Sequence, residues 1–175
     1  MIFTKTSLDG AYRVDLDRRE DSRGFFARTF CVREFEEHGL KSEFAQCSIS
    51  LNRQRGTVRG LHYQLPPACE AKLVRCTAGA VHDVIVDLRP DSPTYLHHIA
   101  VELTARNRCA LYVPEMFAHG FQVLEDETEV FYQISAFYAP EQSTGIRYND
   151  PKLGIRWPLP VTAISDKDRN WPLFS

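Results

Sequence analysis

Two short segments carry side chains able to do chemistry: Arg59-Gly60-Leu61-His62-Tyr63-Gln64 and, across Pro66-Pro67, Ala71-Lys72-Leu73-Val74-Arg75-Cys76. At the two-residue period of a strand, Gly60, His62 and Gln64 share one face of the first, and Lys72, Val74 and Cys76 share one face of the second. An imidazole, which moves protons near neutral pH, and an ammonium, which meets negative charge, can then line one cavity. Taken singly, each has a plainer reading. His62 suits a satisfied, half-buried histidine, and Lys72 a lysine laid along apolar neighbours with its head in water.

The remainder of the chain supplies possible partners. Asp21-Ser22-Arg23-Gly24-Phe25-Phe26 places an arginine beside a glycine that permits a tight bend, with aromatics behind it that could anchor the guanidinium as an anion clamp; a solvated turn arginine is the alternative. Pro114 to Phe121 reads as a turn entering a strand, which sets His119 near the mouth of a barrel. In Glu129 to Ile134, Val130, Tyr132 and Ile134 share a face, and Tyr138 follows just beyond. Ser165-Asp166-Lys167-Asp168 has the form of a capping box on a short helical turn, so Asp168 has a structural use as well as a chemical one.

These residues must be held by strands. Ala11 to Leu16 reads as a first strand and Asp17 to Ser22 as a charged turn. Val32 to His38 reads as a helix stopped by Gly39, with Phe35 and Leu40 on its buried side. From Phe44 onward the pattern is strand-like: Gln46 to Leu51, Gly60 to Gln64, Lys72 to Thr77, Val81 to Leu88, His98 to Leu103, Cys109 to Val113, Gly120 to Leu124 and Val130 to Ser135. Such a run of short strands between Gly, Pro, Asn and Asp turns points to an all-β, double-sheet jelly roll with short peripheral helices. No βαβ alternation or internal repeat competes with that reading. A jelly roll leaves a pocket between its sheets, lined by inward-pointing side chains.

Composition narrows the function. The 175 residues suit one domain, 43% hydrophobic and 25% charged. A net charge of -2 leaves no footprint for nucleic-acid binding, so an anionic ligand must be met by locally placed Arg and Lys. Five cysteines, an odd number without C-x-x-C spacing, speak against a disulfide framework or a zinc knuckle and suit small buried groups in a reducing compartment. No membrane span or secretory leader is legible, and the expected location is cytoplasmic.

In order along the chain, Asp21-x-Arg23-Gly24-x-Phe26, Val58 to Gln64, Ala71 to Val74, Asp83 to Arg89, Ser92-Pro93-Thr94, Phe117 to Phe121, Asn149-Asp150-Pro151 and Ser165-x-Lys167-Asp168 resemble the RmlC family of nucleotide-sugar epimerases, typified by dTDP-4-dehydrorhamnose 3,5-epimerase. The resemblance implies a cupin-type jelly roll that dimerises through its N-terminal strands, works without a cofactor or metal, and epimerises a nucleotide-linked 4-keto-6-deoxy sugar. Inversion beside a ketone needs a base, an oxyanion partner and an acid on the opposite face. By similarity His62 is the base, Asp168 holds its second ring nitrogen, Lys72 meets the enolate oxygen and Tyr132 is the acid. Arg23, Arg59 and Lys167 would grip the diphosphate, with Phe26, Gln46, Ser48 and Tyr138 also at the substrate and His119 lining the sugar site. The chain departs from the family pattern at Arg28, Ser48 and Ser143, where glutamate, asparagine and glutamate are usual around the nucleotide.

Three alternatives follow. One is inversion at a single carbon, and another is a sugar carried on a different nucleotide. The third is a metal-dependent or non-catalytic sugar-binding cupin. For a metal cupin the sequence is poor in ligands, because Gln64 stands where a His-x-His pair would place its second imidazole, and His97-His98 reads as surface.

Overall fold

Runs of apolar residues, alternating with polar ones where a face meets solvent, form thirteen short strands in a computed structural model that describes residues 1–174. In chain order they are β1 (Ile2–Lys5), β2 (Tyr12–Asp15), β3 (Arg19–Asp21), β4 (Gly24–Phe26), α1 (Val32–Glu37), β5 (Gln46–Asn52), β6 (Val58–Gln64), β7 (Lys72–Ala78), β8 (Ala80–Asp87), β9 (His98–Thr104), β10 (Ala110–Val113), β11 (Phe117–Val123), β12 (Thr128–Ile134), β13 (Ser143–Gly145) and α2 (Asp166–Arg169). Two antiparallel sheets face each other, one ordered β1-β2-β10-β7-β12-β5 and the other β13-β6-β11-β8-β9. This is the expected jelly roll. β3 and β4 form a separate hairpin.

The inward faces interdigitate as the alternation requires. Val74, Cys76, Leu111, Val113 and Val130 of the first sheet meet Val81, Ile85, Leu103, Phe121 and Val123 of the second. α1 lies on the outside of the first sheet, where Phe35 and Leu40 pack on Tyr12, Val14, Leu73, Ala110 and Tyr112. The backbone N–H groups of Gly39 and Leu40 return to the carbonyls of Glu36 and Phe35, and Gly39, at φ +68°, closes the helix as its position in the sequence suggests. On the outside of the second sheet, Ile146 and Leu153 of the C-terminal segment pack on Leu61, Val84, Val86 and Ala118. That packing carries α2 back to β6.

β1, the β3–β4 hairpin and β13 escape the sequence reading. β1 is an edge strand with mostly exposed side chains, every residue of the hairpin is exposed, and β13 is three residues long, so none carries an alternating apolar signal. The run Asp87-Leu88-Arg89 with Ser92-Pro93-Thr94 is a knot between β8 and β9. Asp87 accepts from Arg89 Nε and Nη2, Ser92 Oγ and Thr94 Oγ1, and Arg89 also reaches the Asp9 carbonyl. Burial pushes this carboxyl up, but those donors outweigh it and hold the group at about 2.

Candidate active site

A cavity of about 710 Å³ opens between the sheets, walled by β6 and β11 on one side and β5, β7 and β12 on the other. His62 enters it from β6, in register with His119 on β11. The two strands approach closely at Gly60, whose φ is +109° and where a Cβ would stand 2.6 Å from Gly120 Cα. Only glycine fits there. From the opposite sheet come Lys72 on β7 and Tyr132 on β12, with Lys72 in register with Ile134 and Tyr132 with Val74.

The dyad is formed. His62 Nε2 lies 2.6 Å from Asp168 Oδ1. Ser165 caps α2 by accepting from the Asp168 N–H at 3.0 Å, as its sequence suggests, but the Asp168 carboxylate serves the site instead of closing a capping box. It also accepts from the Gly60 N–H at 3.1 Å and from Trp171 Nε1 at 3.3 Å. Burial pushes Asp168 up, and the hydrogen bond and charge of His62 with the other two donors more than offset this, so it lies below the usual carboxylate range. An ionised carboxylate on Nε2 demands that this nitrogen carry the proton, leaving the Nδ1 lone pair free as a base.

Tyr132 faces the other way. Burial pushes its phenol well above the ordinary value, so it keeps its proton at neutral pH and is available as a donor. Its hydroxyl lies 3.4 Å from Ser50 Oγ, and its ring meets His119 edge-on at 6.2 Å. His119 in turn is fixed by Asp83, with Nε2 at 2.9 Å from Oδ2, both residues being buried. Lys72 is buried and paired with Glu70 at 2.9 Å. Of these supporting residues, Ser50, Glu70 and Trp171 have no site role in the sequence reading, and Asp83 enters it only within a family motif, with no role assigned. A signal existed for two of them: Glu70 shares strand phase with Lys72, and Asp83 is an acid on the apolar face of Val81 and Ile85.

Of the expected substrate residues, Gln46, Ser48, Arg59, His119, Tyr138 and Lys167 line the same cavity as His62, Lys72, Tyr132 and Asp168. Gln46 Oε1 accepts from the Tyr138 N–H at 2.7 Å, and Gln64 binds the carbonyls of Ala68 and Phe137 and the Ala139 N–H, so the segment carrying Tyr138 is braced from both walls. Arg23 and Phe26 are not in this chain's cavity. They stand on the exposed hairpin, with Phe26 78% exposed and Arg23 paired to Asp21. The neighbouring aromatic, Phe25, carries Arg18 and Arg108 over its ring and leaves Arg23 unanchored by it. Arg28 is likewise outside, bonded to Glu34, whereas Ser48 and Ser143 do line the cavity.

Among the described residues no three His, Cys, Asp or Glu side chains gather as a metal-ligand set. All five cysteines are free, but only Cys76 and Cys109 are buried, their thiols pushed up to about 11 by burial; Cys47 is exposed at the edge strand β5, a correction to the expectation that most are internal. Among the described residues no further strand pairs with β5 on the side away from β12.

The family model described as dTDP-4-dehydrorhamnose 3,5-epimerase matches residues 5–175. The chain belongs to that family. The dTDP-4-dehydrorhamnose 3,5-epimerase of Methanothermobacter thermautotrophicus is 45% identical over 172 residues, covering 97% of this chain and 92% of the relative. The solved dTDP-4-dehydrorhamnose 3,5-epimerase of Bacillus anthracis, with TDP and PPi bound, is 38% identical with a TM-score of 0.95, covering 99% of each chain. The epimerase of Legionella pneumophila in complex with dTDP-4-keto-L-rhamnose is 37% identical with a TM-score of 0.91, covering 98% of this chain and 92% of that one. As a member of the epimerase family, the chain is an isomerase with a cupin-like jelly roll.

Proposed function

We propose that this epimerase converts dTDP-4-dehydro-6-deoxy-D-glucose to dTDP-4-dehydro-L-rhamnose by removing and returning protons on the two carbons beside the ketone. One observation carries the reading: a histidine–carboxylate base on one sheet faces a protonated phenol and a buried lysine on the other, across a single cavity. His62 Nδ1 takes the proton, and the C–H electron pair moves into the ring carbon–carbon bond as the ketone becomes an enolate. Lys72 meets the charge on oxygen. Tyr132 then delivers a proton to the opposite face of that carbon, which inverts it, and exchange with solvent restores the imidazole and the phenol. Arg59 and Lys167 at the cavity wall suit the diphosphate. The bound TDP of the Bacillus relative and the dTDP-keto sugar of the Legionella relative support this choice of ligand.

The active species in this reading is a cytoplasmic homodimer. Ile49 and Leu51 on β5, Val32, and Phe25 and Phe26 on the hairpin are exposed apolar residues of the N-terminal half, suited to burial by a second copy. Arg23 and Phe26 would then serve the partner's cavity. The deciding experiment is incubation in heavy water with the dTDP-4-keto sugar, following each carbon by NMR. Deuterium at both flanking carbons with inverted product is the expected result; exchange at one carbon alone would assign a single-centre epimerase, and none would refute the proposal.

A further inference from the structure

Asn52, the last residue of β5, is 2% exposed and uses its whole side-chain amide. Nδ2 donates to the carbonyls of Ser50 and Thr128, each at 3.2 Å, and lies 3.5 Å from Ser50 Oγ. With its amino end held by two carbonyls, the amide has one workable orientation, and Oδ1 faces Arg59, accepting from Nε at 2.6 Å. A flipped amide would set N–H donors against a guanidinium and oxygen against oxygen. Arg59 Nη2 also points at the Leu51 carbonyl, at 3.4 Å. The Nε edge of an otherwise exposed guanidinium is therefore fastened to the end of β5, although Arg59 itself comes from β6 in the other sheet.

From this we infer that Asn52 is a positioning residue for the diphosphate of the substrate: by engaging Nε it fixes the Arg59 guanidinium at the cavity wall before ligand arrives. The inference rests on the reading that Arg59 grips the diphosphate. An arginine stem that must be ordered on binding costs affinity, and prior ordering removes a penalty worth up to about tenfold. Asn52 touches no substrate in this scheme and acts through Arg59 alone.

The test is a double-mutant cycle on dTDP binding by calorimetry, with Asn52→Ala, Arg59→Ala and the pair. Asn52→Ala is expected to weaken dTDP about tenfold in the wild-type background and less than about twofold in Arg59→Ala. In turnover, KM should rise by a similar factor while kcat falls far less, a split that general damage to β5 would not produce. Should Asn52→Ala fail to fold, Asn52→Ser, which retains a donor but is too short for Arg59, takes its place in the cycle. Equal losses in both backgrounds would overturn the role of Asn52 and leave that of Arg59 standing. Unchanged dTDP binding in Arg59→Ala would overturn both, whatever the heavy-water exchange shows.

Discussion

At the scale of single residues, the site separates two jobs that one side chain could not do. His62 is oriented so that Nδ1 is a free lone pair, and Tyr132 is buried so that its proton stays on. His62→Ala should therefore lose exchange and epimerisation together, with circular dichroism unchanged. In Asp168→Asn the imidazole remains but loses orientation and basicity, and a ten- to thousand-fold fall in kcat, on the order seen for such partners, is expected in steady-state assays. Tyr132→Phe divides the reaction differently: deuterium should still enter the sugar, but inverted product should nearly vanish. Wild-type epimerisation by that variant would move the acid role to another phenol such as Tyr138. Glu70 presents a stability question as well. Its removal strands the buried Lys72 ammonium, so Glu70→Ala should cost about 3 kcal/mol in chemical denaturation, and the double variant with Lys72→Met should recover much of it.

At the scale of elements, the knot at Asp87 shows how a motif shared with the epimerases can be structural. Its four side-chain hydrogen bonds to Asp87 fasten the β8–β9 connection to itself, and Arg89 Nη2 with Thr94 Oγ1 ties that connection to Asp9 in the loop before β2, away from the cavity wall. Because the folded carboxyl is depressed to about 2 from 3.8, its stabilising effect is complete above about pH 5 and is lost as pH falls through 2. Asp87→Asn should flatten the acid limb of the stability–pH curve between pH 5 and 2 by up to about 2 kcal/mol, read from urea midpoints at each pH. Elements also explain what the sequence made legible. The phase of β6, β7 and β12 places His62, Lys72 and Tyr132 correctly, since a period of two needs no knowledge of neighbours. The partners Asp83, Glu70 and Trp171 depend on which strands lie side by side, and pairing is not written in any one strand. Asp168 is a candidate in the sequence, but its role behind His62 rests on resemblance, because a cap and a histidine partner look alike there.

At the scale of the whole molecule, Arg23 and Phe26 separate motif from place: their motif is plain in the sequence, yet the fold carries them away from their own cavity. Ser48 and Ser143 stand in the cavity with less reach than the asparagine and glutamate usual in the family, so discrimination among nucleotides should be weaker. Competition of dTDP, UDP, CDP and GDP measured by calorimetry should show dTDP first by less than about a hundredfold, ~2.7 kcal/mol. Chelator treatment should leave the rate unchanged; loss restored by added metal would favour a metal-dependent cupin. His62 and Tyr132 belong to different sheets, and among the described residues no strand pairing connects β6 with β12, so the width of the gap a proton donor must span is kept by interior residues such as Val74, Val130, Ile85 and Phe121. Stereochemistry is thus a property of tertiary packing more than of secondary structure. A loosened state that retains its strands but lets the layers slide would still titrate, still bind anions and still show a β-sheet spectrum, yet it would scramble or lose inversion. On gradual heating, the ratio of inverted product to washed-in deuterium should fall with the near-ultraviolet dichroism of the packed aromatics, before the far-ultraviolet signal moves.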